Sequence, residues 1–385
     1  MARLTQPQEQ DLDPLLGKLE DLSNSPLRAI AAELLPLLKL AQTSHRSRDL
    51  SSDKLQTLVN YVAYLLRRLP RIFSARFGFD AALIAAIVED SGPTAGFSSM
   101  LVPRYEREWG HESLMMPAEG GKSHVIDLIL IPGQDQVRDI DLLSYPWLGH
   151  ELAHNLLFRH DTTFRASVSR EMEKEVQRLK LSGMADRGPA QAKANRIVEN
   201  FVQFWTPTPD HKNWSHELAA DLVALWIFGP AYLACFEDVL DNPSLNPYQL
   251  TQSHPAYVVR ADALLEGARL LEWHDHVTSL RNRIDGWLHS KWRQSRTNRF
   301  RALASPDMIA ECVGTTISMC QELGLTKCTP TAVDAISRNF CLTSSQNFGI
   351  SLLLEAYLVF RQHGEQGYVG WRSAVIPEVA DRLKL

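Results

Sequence analysis

Residues 147–158 read Trp-Leu-Gly-His-Glu-Leu-Ala-His-Asn-Leu-Leu-Phe and carry the strongest pattern in the chain. The apolar spacing after a proline predicts a helix. His150 and His154 stand four residues apart, so their side chains project from one face of that helix, about one turn apart. Two imidazole rings at this spacing can bind one zinc ion. Glu151 can reach a water beside that ion without being a ligand itself, and we expect it to be a general base.

A catalytic zinc has three protein ligands, so the third must lie elsewhere in the sequence. Glu217 is the favoured candidate, within the run Trp214-Ser-His-Glu-Leu-Ala-Ala-Asp221. Ser215 can cap a helix there, and Glu217 and Asp221 then share one face. An acid-rich first turn also suits the helix dipole without any metal. Because the residues that follow are apolar, the acid pair opens a buried helix and needs a cation. Asp221 would then hydrogen-bond the outer nitrogen of a ligand histidine.

His160 is the alternative third ligand, because it follows His154 by the six residues found in metzincins. That arrangement also needs a glycine three residues after the second histidine, where the chain turns back in a left-handed conformation. The position is occupied by Leu157. If the helix continues, His160 points away from His150. His216, beside Glu217, is interpreted as a bystander.

A third element lies at His254-Pro-Ala-Tyr-Val-Val-Arg260. A histidine and an arginine near a zinc site can donate hydrogen bonds to the oxyanion that forms when water attacks a peptide carbonyl. A capping histidine and a surface arginine are the alternative, and these residues alone favour it.

The three elements together resemble, in order and approximate spacing, the CAAX prenyl endopeptidase and heat-shock membrane protease family of gluzincins. The resemblance covers about residues 120–270. It implies one zinc ion bound by His150, His154 and Glu217. It also implies that Glu151 is the catalytic base and that Asp221 supports the ligands from behind. His254 and Arg260 would lie on the substrate or oxyanion side. Well-known members embed their catalytic helices in transmembrane segments. This chain has no run of about 20 apolar residues, so we expect a soluble branch.

The expected fold is α+β and predominantly α-helical, with a zincin-like (gluzincin) core that includes a small β-sheet. We predict an N-terminal helical region over 1–75, the metallopeptidase domain over 76–280 and a C-terminal helical region over 281–385. The β-branched run 125–131 is the predicted strand along which a peptide substrate would pair.

Composition limits the remaining possibilities. Among 385 residues, 40 Lys and Arg face 45 Asp and Glu, so the net charge of −5 predicts no nucleic-acid partner. The basic, aromatic stretch 281–301 is interpreted as an amphipathic surface. Five cysteines without zinc-finger spacing, and an N-terminus without the apolar core of a signal peptide, favour the cytoplasm.

The sequence therefore predicts a zinc-dependent endopeptidase acting on a protein or peptide substrate. We expect its helical flanks to restrict access to the cleft or to recruit a regulatory protein. The alternative is a catalytically silent zinc-binding regulatory or scaffold protein. Glu151 favours the enzyme, because a structural zinc needs no carboxylate beside a bound water.

Overall fold

The computed structural model describes a defined set of residues, and the structural statements below concern that set. It comprises residues 16–17, 20, 35–36, 39, 75–92, 101–106, 110–117, 123–132, 140–183, 189–206, 213–241, 246–249, 251, 254–289, 303–338 and 347–383. Most of the predicted N-terminal helical region, much of the basic stretch 281–301, and Cys341 lie outside these residues.

The described residues belong to two compact units. We call the first the helical unit; it comprises Asp90–Gly96 and Leu142–Leu358. The second, the sheet unit, draws its described residues from Met1–Glu89, Phe97–Asp141 and Val359–Leu385. The division into regions 1–75, 76–280 and 281–385 stays a prediction, because compactness does not show which segments fold alone.

Ten helices are present among the described residues. They are α1 (Ala75–Ser91), α2 (Trp147–Gly183), α3 (Pro189–Trp205), α4 (Trp214–Phe228), α5 (Pro230–Leu240), α6 (Tyr257–Leu270), α7 (His274–His289), α8 (Pro306–Glu322), α9 (Pro330–Arg338) and α10 (Phe348–Arg382). A 3-10 turn, Leu142–Ser144, precedes α2. Helix α10 is kinked at Gly364, whose φ is 66°.

Helix α4 is the centre of the helical unit, and all 15 of its residues are buried. A helix that is apolar on nearly every side must be enclosed by other elements. Helices α2, α6 and α8 pack against it. It ends at Gly229, where a φ of 51° suits a residue without a Cβ, and Pro230 opens α5 immediately afterwards.

Three strands form a small sheet in the sheet unit: β1 (Leu101–Glu106), β2 (Gly110–Pro117) and β3 (Ser123–Pro132). Their order is β1-β3-β2; β3 runs parallel to β1 and antiparallel to β2. The run 125–131 therefore lies in the central strand. Its expected role as a substrate-binding edge is wrong, because both of its hydrogen-bonding sides are already paired.

The predicted α+β fold class is also wrong. The described chain is predominantly helical, and the described part of the helical unit, which carries all the motif residues, contains only helices. The physical reason lies in α4. Helices cover this buried helix, so its apolar surface needs no sheet.

None of the helices in the described residues is long and apolar enough to cross a membrane.

Candidate metal centre

Helix α2 brings both motif histidines to the core. Its first turns bury Leu148, Leu152 and Leu156, so the polar residues between them are held against α4. Gly149 allows this close packing. A Cβ at that position would lie 2.7 Å from Cε2 of Phe228 and 3.0 Å from the Cα of Ala224. Only glycine permits the two helix backbones to approach this closely.

Helix α4 supplies the two acidic residues. Its N-cap is Asn213, whose side-chain oxygen accepts hydrogen bonds from the backbone N–H groups of Ser215 at 3.0 Å and His216 at 3.2 Å. The prediction that Ser215 caps this helix is therefore wrong, because Ser215 already lies inside the first turn. The cap places Glu217 in the first turn and Asp221 one turn later.

Three side chains converge on one point. The Nε2 atoms of His150 and His154 are 3.1 Å apart. The two Glu217 oxygens lie 3.5 Å from Nε2 of His150 and 3.6 Å from Nε2 of His154. Ligand atoms at about 2.1 Å from a tetrahedral metal lie about 3.4 Å from one another. His150, His154 and Glu217 form a largely buried group that can hold a metal ion.

Two further observations fit a cation at this point. The Oε2 atom of Glu217 is buried and accepts no hydrogen bond, which is costly for a carboxylate unless a charge lies nearby. The buried charged residues in and beside this group are three carboxylates, those of Glu151, Glu217 and Asp221, and one guanidinium, that of Arg260. Histidines that bind a metal are neutral, so with an ion in place the protein would contribute three minus one, or two excess negative charges, which a divalent ion would balance.

Asp221 orients the ring of His150. Its Oδ1 atom lies 2.9 Å from Nδ1 of His150, so a proton on Nδ1 is donated to the carboxylate and Nε2 is left facing Glu217. Asp221 is completely buried. The sequence-based role of Asp221 behind the ligands corresponds to this contact.

The charges of the site change the pKa values of its members. Burial by itself disfavours the charged form of His150, but the hydrogen bond to Asp221 and the nearby carboxylate of Glu217 outweigh it and raise the pKa of His150 to about 10. Burial would raise the pKa of Glu217, yet the two histidines and Arg260 lower it to about 2. The negative field that holds a proton on His150 is also the field that attracts a cation.

Glu151 and His254 differ in their exposure to solvent. Glu151 is buried next to His150, and its charge acts on that ring. His254 has 61% of its side chain exposed, and its Nε2 atom is 3.6 Å from Oε1 of Glu217. The side chain of His154 is 17% exposed. The side of the site with His154 and His254 is therefore the open one.

Arg260 does not face the open side. Its Nε and its terminal nitrogen donate to the two oxygens of Asp221 at 2.7 and 2.6 Å. The guanidinium carbon lies 5.4–5.6 Å from the ring centres of Trp147, Phe236 and Tyr257. The alternative interpretation of Arg260 as a surface arginine is therefore wrong, since the residue is buried.

Among the side chains that the structure describes, His216 is not part of the group, and the backbone at His160 does not favour the alternative third ligand. The backbone of α2 continues without interruption from Trp147 to Gly183, so the chain does not turn back after His154 as a metzincin requires. His216 is completely buried, and its Nδ1 atom lies 2.5 Å from the side-chain nitrogen of Asn213. It belongs to the cap of α4.

Sequence reasoning missed Tyr232, whose hydroxyl donates to Oδ1 of Asp221 at 2.5 Å. The available signal was the Gly229-Pro230 pair, which ends α4 and redirects the chain toward the site. No motif marks the tyrosine itself.

No protein-family model matches this chain, and no curated protein or solved structure matches it either. The geometry of the site therefore carries the functional assignment.

Proposed function

We propose that this protein is a zinc-dependent endopeptidase of the gluzincin type. One observation carries the proposal: the ligand atoms of His150, His154 and Glu217 converge at 3.1–3.6 Å, with Glu151 buried beside them. Two imidazoles and one carboxylate form a ligand set that leaves a fourth position open in catalytic zinc sites.

Zinc bound there would activate water and polarise a peptide carbonyl. Glu151 is the group that accepts the proton from the attacking water and later passes it to the leaving amine. Its burial supports this role, because a carboxylate with little hydration transfers protons without first shedding water. His254, on the open side, is placed to donate a hydrogen bond to the substrate oxygen.

The continuous α2 helix and the position of Glu217 favour a gluzincin over a metzincin. The order of the three motifs supports a soluble branch of the CAAX prenyl endopeptidase and heat-shock membrane protease family. We further propose a protein or peptide substrate and a cytoplasmic location. The cysteines Cys235, Cys312, Cys320 and Cys328, all buried thiols, agree with a reducing compartment.

Replacing Glu151 by Gln tests the catalytic role. The change keeps the shape of the side chain but removes its ability to accept a proton. We expect cleavage of a fluorescently labelled, unfolded protein to fall by at least about 100-fold. Zinc content, measured by elemental analysis, should stay near that of the unmodified protein, because Glu151 is not a ligand.

Glu199→Gln is the matched control, since Glu199 is an exposed glutamate on α3. It should cleave the same substrate at the unmodified rate. Full cleavage by Glu151→Gln would contradict the proposed chemistry. Bound zinc without cleavage in the unmodified protein would favour the silent regulatory or scaffold protein.

A further inference from the structure

The carboxylate of Asp221 is the most heavily hydrogen-bonded group of the site. Its Oδ1 atom is contacted by Nδ1 of His150 at 2.9 Å, by the hydroxyl of Tyr232 at 2.5 Å and by a terminal nitrogen of Arg260 at 2.6 Å. Its Oδ2 atom accepts from Nε of Arg260 at 2.7 Å. Three different elements, α2, α5 and α6, therefore meet on one oxygen of α4.

Arg260 balances the charge of this carboxylate. Asp221 is completely buried, and an ionised carboxylate in such a place needs a counter-ion with good geometry. The two parallel hydrogen bonds from Arg260 provide it. Because three aromatic rings surround the guanidinium, it cannot turn toward the open side without breaking these contacts.

Tyr232 reaches Asp221 because the helix is broken between them. Eleven residues of continuous helix would separate the two residues by about 16 Å along its axis. The positive φ of Gly229, followed by Pro230, ends α4 and starts α5 in a new direction. The ring of Trp147 packs edge-on against Tyr232, with centroids 5.5 Å apart, and fixes the position of the hydroxyl.

We propose that Tyr232 is a positioning residue of the metal centre. Its hydroxyl, together with Arg260, holds the Asp221 carboxylate in the orientation that accepts the Nδ1–H of His150. The His150 ring is then fixed with Nε2 toward His154 and Glu217. This inference rests on the metal site of the proposed function, but not on peptide cleavage.

A Tyr232→Phe variant removes the hydroxyl and keeps the buried ring. Groups that orient a ligand histidine from behind change metal affinity by about 10–100-fold when they are removed. We expect the Kd for zinc, measured by competition with a coloured chelator, to rise by about tenfold. The absorption spectrum of the cobalt-loaded variant should also shift, because the His150 ring is less well fixed.

Tyr357→Phe is the matched control. Tyr357 is a buried tyrosine on α10, a helix that carries none of the site residues. Its variant should bind zinc like the unmodified protein. An equal loss of affinity in both variants, or an unchanged Kd in Tyr232→Phe, would overturn the inference.

A double-mutant cycle with Asp221→Asn separates an effect that acts through Asp221 from a general loss of packing. If Tyr232 acts through Asp221, its removal has a much smaller effect on the Kd once Asp221 is changed. Equal effects in both backgrounds would overturn the inference. Failure of the unmodified protein to bind zinc would instead overturn the proposed function, and the inference with it.

Discussion

Helix α6 carries two arginines that make the same kind of contact in opposite surroundings. Arg260, near its start, makes a bidentate pair with Asp221, a residue of another helix, and both side chains are at most 6% exposed. Arg269, near its end, makes a bidentate pair with Glu266 of the same helix, and the two side chains are 57% and 34% exposed.

The difference between these pairs teaches that geometry alone does not assign a role. In the exposed pair, the contact between the two charges replaces hydrogen bonds to water of similar strength, and dissolved salt screens the attraction between them. In the buried pair, water cannot take the place of either partner, so the loss of one leaves the charge of the other uncompensated. The arginine at the start of α6 therefore supports a site, whereas the arginine at its end adds a local surface contact.

Removing each arginine gives the largest expected contrast. Arg260→Gln leaves the Asp221 charge buried without its counter-ion and should lower the free energy of unfolding by about 3–5 kcal/mol. Arg269→Gln should leave this free energy unchanged within error. Urea unfolding followed by circular dichroism measures both. Similar small losses for the two variants would show that burial does not make the Arg260–Asp221 pair more important for stability than the Arg269–Glu266 pair.

Glycine substitutions sharpen the same contrast between enclosed and open positions. Gly149→Ala forces a Cβ against Phe228 and the Ala224 backbone, so we expect a loss of about 1–3 kcal/mol in the free energy of unfolding. Zinc affinity should fall as well, because His150 is the next residue. The measurements are urea unfolding and chelator competition.

Gly314→Ala is the control for that change. Gly314 lies inside α8, and a Cβ added there would come within 4 Å of no described heavy atom beyond its neighbours and the backbone of its own helix. Alanine there should stabilise the protein by about 0.5–1 kcal/mol, because it favours a helix. Destabilisation by this variant would mean that glycine is required for some reason other than close packing.

The cap of α4 should have a smaller effect. Asn213→Ala removes the acceptor of two backbone N–H groups, and we expect a loss of about 1 kcal/mol in the free energy of unfolding. Asn195→Ala, at an exposed position on α3, should cause no loss. Thermal unfolding compares them. Equal stability of the two variants would show that the Asn213 cap is not needed to hold the first turn of α4, which carries Glu217.

The buried thiols provide the smallest expected effect. Burial raises the pKa of Cys328 to about 12 and also raises the pKa values of Cys312 and Cys320. The reactive thiolate is therefore scarce at pH 8, and iodoacetamide should not modify these three residues in the folded protein. Peptide mass spectrometry detects the products. Rapid labelling of any of the three would show that this part of the helical unit opens readily.

The sequence predicted the contents of the site better than the surroundings of the site. His150 and His154 were recognisable because side chains four residues apart share one face of a helix, and Glu217 because an acidic pair opens an apolar helix. The run 125–131 was recognisable as a strand, but its β-branched residues do not show whether that strand lies at the edge or in the centre of a sheet. Similarly, Ser215 looked like a cap because cap preference is local, and Asn213 satisfies the same N–H groups from two residues earlier.

Two other features could not be found from sequence. Arg260 contacts a residue 39 positions away, and Tyr232 depends on a change of helix direction. Neither a contact between distant residues nor a change of helix direction leaves a periodic pattern in the sequence. Charge balance could have narrowed the search for the partner of Asp221, because a buried carboxylate needs a cationic group beside it.

The enclosure of α4 also determines how an ion would enter and leave. Glu217 belongs to a helix whose residues are all buried, so it cannot swing outward without opening the core. Fluctuations of that size are rare, since they expose a completely buried helix. An ion bound there would therefore exchange past the more exposed side chains, His154 and His254. Its rate should depend on chelator size and change little under conditions that only loosen the core.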